Sequence, residues 1–150
     1  MTITYTEMKK RIFSLDVLST SYDERNRPIG ARKLPTPITV VAKRIRNEYE
    51  PELKICKDLQ EKNLEEYAKK DKDGNYISEI DEKTKQEVHV FKSKKAKESF
   101  FEKEKEILET QVGVKNHQVS MEDVLRIPFL EEWVLEAIDW LIAEPQPQQN

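Results

Sequence analysis

Five side chains with oxygen atoms that could ligate a metal ion follow one another near the middle of the chain. They fit positions one, three, five, nine and twelve of a calcium-binding loop and are Asp71, Asp73, Asn75, Glu79 and Glu82. An EF-hand loop also needs glycine at position six, where the backbone bends sharply. That position is Tyr76, and Gly74 comes two residues too early. The pattern therefore favours a solvated turn, and we assign no metal ligand to it.

The two histidines and the single cysteine are the other residues whose side chains could do chemistry. His89 and His117 belong to different predicted elements, and neither has a cysteine or a regularly spaced carboxylate nearby, whereas a zinc site needs three or four converging ligands. Cys56 falls on the apolar face of a predicted helix, the setting of a small buried residue rather than of a reactive thiolate. No glycine-rich phosphate loop, G-x-S-x-G motif or H-E-x-x-H motif occurs in the sequence. We therefore predict a protein that is not an enzyme, with no catalytic residue, no cofactor and no metal site.

The densest group of positive charges could bind the phosphate groups of a nucleic acid. It comprises Lys92, Lys94, Lys95 and Lys97, and Glu98, Glu102, Glu104 and Glu106 follow on the same predicted helix. Mixed charge of this kind is typical of a solvent-exposed helix with ion pairs along its surface. The formal net charge of −3, from 26 basic and 29 acidic residues, gives no electrostatic bias toward nucleic acid or membrane. Neither is a predicted partner.

Aromatic side chains near the C-terminus could act in a different way, by burial against another protein. Residues 129–142 are apolar almost all round, and Trp133 and Trp140 lie seven residues apart, two helical turns along one face. One interpretation is that this helix packs into the protein's own core. The other is that part of it binds a partner, because aromatic residues concentrate binding energy at interfaces, and because Leu135 and Ile142 lie off the main stripe. The candidate partner-binding residues are Phe129, Trp133, Leu135, Trp140 and Ile142.

Three further helices are predicted from capping residues and apolar periodicity. Thr4 stands at capping-box spacing before the first helix, and Ser93 precedes the third. Thr36 opens the second helix, and Pro51 is expected to bend it, since an internal proline removes a hydrogen bond and clashes with the preceding turn. The predicted helices cover about residues 5–18, 36–70 and 94–110.

The second and third helices determine the predicted architecture. The second carries one narrow apolar stripe, as in a coiled coil, formed by Ile38, Val41, Ile45, Tyr49, Leu53, Cys56 and Leu59. We predict a mainly α fold: a long antiparallel helical hairpin over residues 37–110 with a turn-rich tip over residues 71–92. A short N-terminal helix, an apolar C-terminal helix and a minor β element near Val112 complete the α+β base of the hairpin. Residues 1–144 form one helical domain in this prediction, and residues 145–150 form a disordered tail.

Composition agrees with a small helical protein of a reducing compartment. The 150 residues are the size of one domain, and hydrophobic and charged residues each make up 37% of them. This is less apolar and more charged than typical globular proteins. One cysteine excludes an intramolecular disulfide. The N-terminus has no uninterrupted apolar stretch, so we predict no signal peptide.

Three stretches resemble an uncharacterised family of small proteins encoded by tailed phages and prophages, chiefly of Gram-positive bacteria. They are KLPTPITVVAKRIRNEYEPELK, then FFEKEKEILETQVGV, and lastly VSMEDV followed by LEAIDWLI. The chain departs from that family in a longer loop around residues 23–31 and in its tryptophan-rich end. The family is a domain of unknown function, so the resemblance implies a phage origin and a helical hairpin on a small α+β base, but no activity.

These observations lead to the expectation of a non-enzymatic phage protein that acts through protein–protein interaction. It would be a virion or assembly component or a self-associating scaffold. The alternative is a phage-encoded inhibitor of a host defence or housekeeping enzyme. The expected partner is a phage or host protein, or a second copy in a homo-oligomer. The expected location is the host cytoplasm or the virion.

Overall fold

The computed structural model describes residues 1–145 of the chain. The predicted disordered tail, residues 145–150, lies outside this range except for Pro145. Contacts between Cα atoms group the described residues into two compact units. The first contains Met1–Leu53 and the residues from Gln111 onward, and the second contains Lys54–Thr110. Whether residues 1–144 behave as one domain stays a prediction.

The N-terminal helix forms as its local sequence predicts. Helix α1 spans Tyr5–Leu18, and the Thr4 side chain caps it by accepting a hydrogen bond from the Glu7 amide at 3.1 Å. Such a cap satisfies one of the amides that have no partner within the first turn. Strand β1, Thr2–Thr4, precedes α1 and pairs antiparallel with β6, Gln111–Gly113.

The rest of the first unit combines a β-hairpin with helical segments. Strands β2 (Thr20–Tyr22) and β3 (Pro28–Ala31) pair antiparallel. Helix α2 spans Thr36–Tyr67 and belongs to this unit as far as Leu53. Near the C-terminus lie α4 (Met121–Leu125), α5 (Glu132–Ala137) and a 3₁₀ turn (Asp139–Leu141).

The core of the first unit is formed by apolar residues that recur at helical spacing. Fully buried side chains come from α1, from the first half of α2 and from the C-terminal segments, and the largest are Met8, Leu15, Leu18, Ile38, Ile45, Tyr49, Val124, Val134, Ile138 and Leu141. Burial of each large apolar side chain contributes about 1.5–3 kcal/mol. This core is what holds the C-terminal segments in place.

The second unit has a polar contact where a coiled coil would have an apolar one. It contains the remainder of α2, the hairpin of β4 (Ser78–Ile80) and β5 (Glu87–His89), and α3 (Lys94–Leu108). The buried Asn63 amide donates to the Phe100 carbonyl and to Glu104 Oε1, both at 3.1 Å, and Gln60 donates to Glu104 Oε2 at 3.0 Å. Leu59, predicted to lie in the apolar stripe, is exposed.

The prediction of a mainly α fold built on a long antiparallel hairpin is wrong. Within residues 1–145, one long helix, α2, has 32 residues, α3 has 15, and six strands form three two-stranded sheets. The apolar spacing along α2 predicts one continuous apolar stripe that packs against α3. In the structure its first half is buried in the first unit, whereas the second half uses Gln60 and Asn63 for its contacts with α3. Pro51 lies inside α2 without ending it.

The prediction of one apolar C-terminal helix over residues 129–142 is also wrong. Only α5 and the 3₁₀ turn are helical there, and Ile142 is extended. The Val119 amide donates to the Leu141 carbonyl, and the Ala143 amide donates to the Val119 carbonyl. This parallel bridge between Val119 and Ile142 removes the chain from the helix, because the same backbone groups cannot form both sets of hydrogen bonds.

Candidate functional site

An exposed aromatic side chain stands on strained backbone in the loop between α4 and α5. Phe129 is 96% exposed, and its φ angle is +55°. Bulky L-residues rarely adopt this left-handed region, since Cβ approaches the following carbonyl oxygen. Leu125, at the end of α4, is 76% exposed as well. A conformation that is unfavourable for the backbone and leaves apolar surface in water makes Phe129 a candidate contact residue.

A buried arginine holds the Phe129 loop in this conformation. The Arg32 side chain is 6% exposed and forms an ion pair with Glu131 Oε2 at 2.5 Å. Its guanidinium also donates to the Thr20 carbonyl at 3.0 Å and to the Phe129 carbonyl at 3.4 Å. The planar guanidinium suits several acceptors at once. Arg32 therefore ties the β2–β3 hairpin to the residues on both sides of Leu130.

The ion pair shifts the titration of the Glu131 carboxyl. Burial raises the pKa of Glu131, but hydrogen bonds from its own backbone amide and from Arg32, together with the Arg32 charge, act more strongly in the opposite direction. The pKa of Glu131 therefore lies below its ordinary value. Glu131 is ionised at neutral pH, which keeps the link to Arg32 in place.

Trp133 lies at a second contact between the β2–β3 hairpin and this part of the chain. The Tyr22 and Trp133 rings meet edge to face with centroids 5.0 Å apart, a geometry that aromatic pairs favour. Trp133 remains 38% exposed. Trp133, a predicted partner-binding residue, therefore makes a contact within the protein and leaves part of its side chain in solvent.

Trp140 is bound to the protein's own helix α1. Its indole N–H donates to Ser14 Oγ at 2.9 Å, and the Arg11 guanidinium lies 4.7 Å from the centre of its ring. Arg11 also donates to the Tyr49 hydroxyl at 3.2 Å. Trp140, a predicted partner-binding residue, is therefore held by contacts within the protein, whereas the candidate Phe129 is exposed.

Leu135 and Ile142 lie together in an open surface groove. Met121 from α4 completes its apolar part, and Glu136 and Asp139 line it as well. The sequence placed Leu135 and Ile142 off the main apolar stripe. The structure brings both to one depression, seven residues apart in the chain.

Asp71, Asp73 and Asn75 of the calcium-loop pattern form a turn, and Glu79 lies in β4. The Asp71 carboxylate accepts hydrogen bonds from the Asp73 amide at 2.9 Å and from the Asn75 amide at 3.0 Å. Gly74 takes a φ of +81°, a left-handed conformation that suits glycine. Among residues 1–145, no group of three or more histidine, cysteine, aspartate or glutamate side chains is arranged to hold a metal ion.

The histidines and the cysteine serve other contacts. His117 Nε2 lies 3.1 Å from Glu48 Oε2, and the other oxygen of Glu48 accepts from the Lys115 amide at 2.8 Å. This pair joins the segment after β6 to α2. His89 meets the Tyr76 ring edge to face with centroids 5.7 Å apart, and Cys56 is buried.

No protein-family model, curated protein or solved structure matches this chain. None of the helices within residues 1–145 is both long enough and apolar enough to cross a membrane. Sequence reasoning missed Arg32, Leu125 and Met121 as parts of the candidate site. A single arginine in a loop has no periodicity to mark it, and the apolar residues of α4 were too few to form a stripe.

Proposed function

We propose that this chain is a non-enzymatic protein of a tailed phage or prophage that acts by binding another protein, with Phe129 as its main contact residue. The observation that carries the proposal is the combination of 96% exposure and a φ of +55° at Phe129, held by the buried Arg32. The phage origin is supported by the family resemblance of three stretches of the sequence. The role that follows is that of a virion or assembly component or a self-associating scaffold.

The energetics of Phe129 support a contact residue. A left-handed conformation costs about 1–2 kcal/mol for an ordinary L-residue. Burial of a phenylalanine side chain in a partner would contribute about 1.5–3 kcal/mol. In the free protein only the unfavourable conformational free energy of Phe129 is present, whereas in a complex the favourable free energy of burying its ring is added. A fixed backbone also lowers the entropy that is lost when the side chain is ordered at an interface.

Capture of partners from phage-producing cells tests the proposal with a matched pair of variants. Phe129→Ser removes the proposed contact, and Phe13→Ser removes another exposed phenylalanine, on α1, which is 68% exposed. Tagged wild-type protein and the two variants are purified, and the co-purified proteins are identified by mass spectrometry. Light scattering of the same samples measures self-association.

We expect Phe129→Ser to lose a phage or host protein, or the oligomer, that both the wild type and Phe13→Ser retain. Circular dichroism checks that both variants are folded. Equal capture and equal mass for all three folded proteins would remove the basis for Phe129 as the contact residue.

A further inference from the structure

Two adjoining depressions near the C-terminus form one open groove. They share Met121, Asp139 and Ile142, and the larger has a volume of about 890 Å³. This is within the range of sites that bind ligands or short segments of chain, about 300–1,000 Å³. Leu135 adds apolar surface at one end, and Glu144 lies at the other. The side chains of Met121, Leu135 and Ile142 all keep some solvent exposure.

The charge around this groove is of one sign. Between Ser120 and Pro145 the chain has seven acidic residues and one basic residue, which gives a formal net charge of −6, although the whole chain carries −3. The one basic residue, Arg126, pairs with Glu122 and Asp123, and Glu131 pairs with Arg32. Within residues 1–145, none of the ion pairs involves the remaining acidic residues Glu132, Glu136, Asp139 and Glu144.

We propose that this groove, formed by Met121, Leu135 and Ile142 with Glu136, Asp139 and Glu144, binds a partner segment in which apolar side chains are flanked by lysine or arginine. The inference rests on the proposed function, since it names the chemistry of a protein partner. The apolar side chains of the segment cover Met121, Leu135 and Ile142, and its cations lie beside the three carboxylates. Complementary charge of this kind speeds association and excludes acidic partners.

The backbone of the groove has a suitable form for such a segment. Ser120 and Ile142 on its walls are both extended, with ψ angles of 149° and 126°. The bridge between Val119 and Ile142 holds the two walls at hydrogen-bonding distance. The hydrogen bond from Trp140 to Ser14 ties the 3₁₀ turn to α1. The groove is therefore formed before a partner arrives, which lowers the entropy lost on binding.

The chain's own end is the first competing occupant. Residues 146–150 read Gln-Pro-Gln-Gln-Asn and contain neither a cation nor a large apolar side chain. They therefore lack both features that the groove complements. A second copy of the chain is the other competing occupant, and both are outcomes of the following experiment.

Titration of the full-length protein with synthetic peptides, followed by NMR of backbone amides, tests this inference. The probe is a ten-residue peptide of leucine alternating with lysine, and the controls are a peptide of lysine alternating with serine and one of leucine alternating with glutamate. We expect saturable shifts of amides along the groove with the first peptide, and about tenfold weaker binding for each control, equivalent to about 1.4 kcal/mol.

Two double variants with the same change in charge locate the effect. Glu136→Gln with Asp139→Asn should weaken the leucine–lysine peptide about tenfold, whereas Asp58→Asn with Glu61→Gln, exposed on α2, should leave its affinity unchanged. Phe129→Ser should also leave it unchanged. Failure of the groove and failure of Phe129 as a contact residue are therefore distinguishable.

Several results would overturn the inference. Equal affinity for the lysine–serine peptide would show attraction by charge alone. Binding only by a chain that ends at Pro145 would show that the protein's own last residues occupy the groove. Groove shifts that follow protein concentration without peptide would assign it to a second copy. Equal loss of affinity in both double variants would place the peptide elsewhere.

Discussion

At the scale of single residues, Phe129 has an exposed conformation that does not contribute to folding stability, and Arg32 maintains that conformation. Phe129 exposes its ring on left-handed backbone, and Arg32 is buried with acceptors on two segments of chain. Buried charges are costly unless they are paired and hydrogen-bonded. Arg32 meets this condition through Glu131, Thr20 and Phe129. The protein thus uses a satisfied buried ion pair to maintain an unfavourable conformation at an exposed side chain.

We predict that Phe129→Gly stabilises the protein. Glycine adopts a φ of +55° without steric cost, and the 96% exposed ring has little packing to lose. The free energy of unfolding should rise by about 0.5–1 kcal/mol, the left-handed cost reduced by the greater freedom of glycine in the unfolded chain. Urea denaturation measures this change.

The matched control is Phe13→Gly, on the ordinary helical backbone of α1. There glycine should destabilise by about 0.5 kcal/mol, so the two substitutions have opposite signs. If Phe129→Gly destabilised the protein as much as Phe13→Gly, the backbone at Phe129 would carry no strain and the argument for a dedicated contact residue would fail.

At the scale of elements, the β2–β3 hairpin lies in a segment whose sequence does not indicate strands. Polar and turn-forming residues cluster between α1 and α2, and no strand was predicted there. The structure has two short strands joined by a turn in which the Asp23 carboxylate accepts from the amides of Arg25 and Arg27. Asn26 has a φ of +57° in this turn. The hairpin is what carries Arg32 and Tyr22 to the loop of Phe129.

The hydrogen bonds of this turn predict how the stability of the hairpin depends on pH. The hydrogen bond from the Arg27 amide, helped by the Arg25 amide and the Arg27 side chain, lowers the pKa of Asp23 against a smaller opposing effect of desolvation. The pKa of an aspartate side chain in the unfolded chain is about 3.9. The contribution of Asp23 to hairpin stability is therefore fully present above that pH and is lost as the pH falls through the lower pKa of the folded state.

NMR titration of the Asp23 carboxyl, with the amides of Arg25 and Arg27 as reporters, measures this effect. The carboxyl should titrate below the ordinary aspartate value, and the reporters should follow the same midpoint. In Asp23→Asn the amide shifts should no longer follow pH in this range. A midpoint at or above the ordinary value would contradict the assigned hydrogen bonds.

At the scale of the whole molecule, the buried apolar residues are distributed unevenly between the two units. In residues 54–110 the buried hydrophobic residues among those described are Cys56, Ala68 and Ile107, whereas the first unit contains all the largest ones apart from Cys56. Asn63 is buried there too, and its Oδ1 atom has no hydrogen-bond partner among the described residues. A unit with so little apolar burial has low local stability.

Hydrogen exchange should therefore be faster in α3 than in α1. The two helices have 15 and 14 residues and both have a side-chain N-cap, so length and capping are matched. We expect mid-helix amides of α3 to exchange about tenfold faster or more, because local opening there exposes little apolar surface. Native-state exchange followed by NMR or mass spectrometry measures this. Equal protection of the two helices would show that the second unit opens only with the whole protein.

The sequence by itself determined those parts of this protein whose hydrogen bonds are local. The starts of α1 at Thr4 and of α3 at Ser93 could be predicted, because each cap accepts a hydrogen bond from an amide three residues later. Leu135 and Ile142 were separated from the main stripe by the same short-range periodicity.

Only the tertiary structure decided what depends on distant partners. β1 pairs with residues over a hundred positions away, and Val119 takes Ile142 out of a helix that its own apolar pattern favoured. Arg32 reaches Glu131 across a similar distance. Pattern within a segment shows that a side chain or backbone group needs a partner, but only packing of the whole chain supplies one. This is why the helix starts were predictable, while the Phe129 loop and the acidic groove were not.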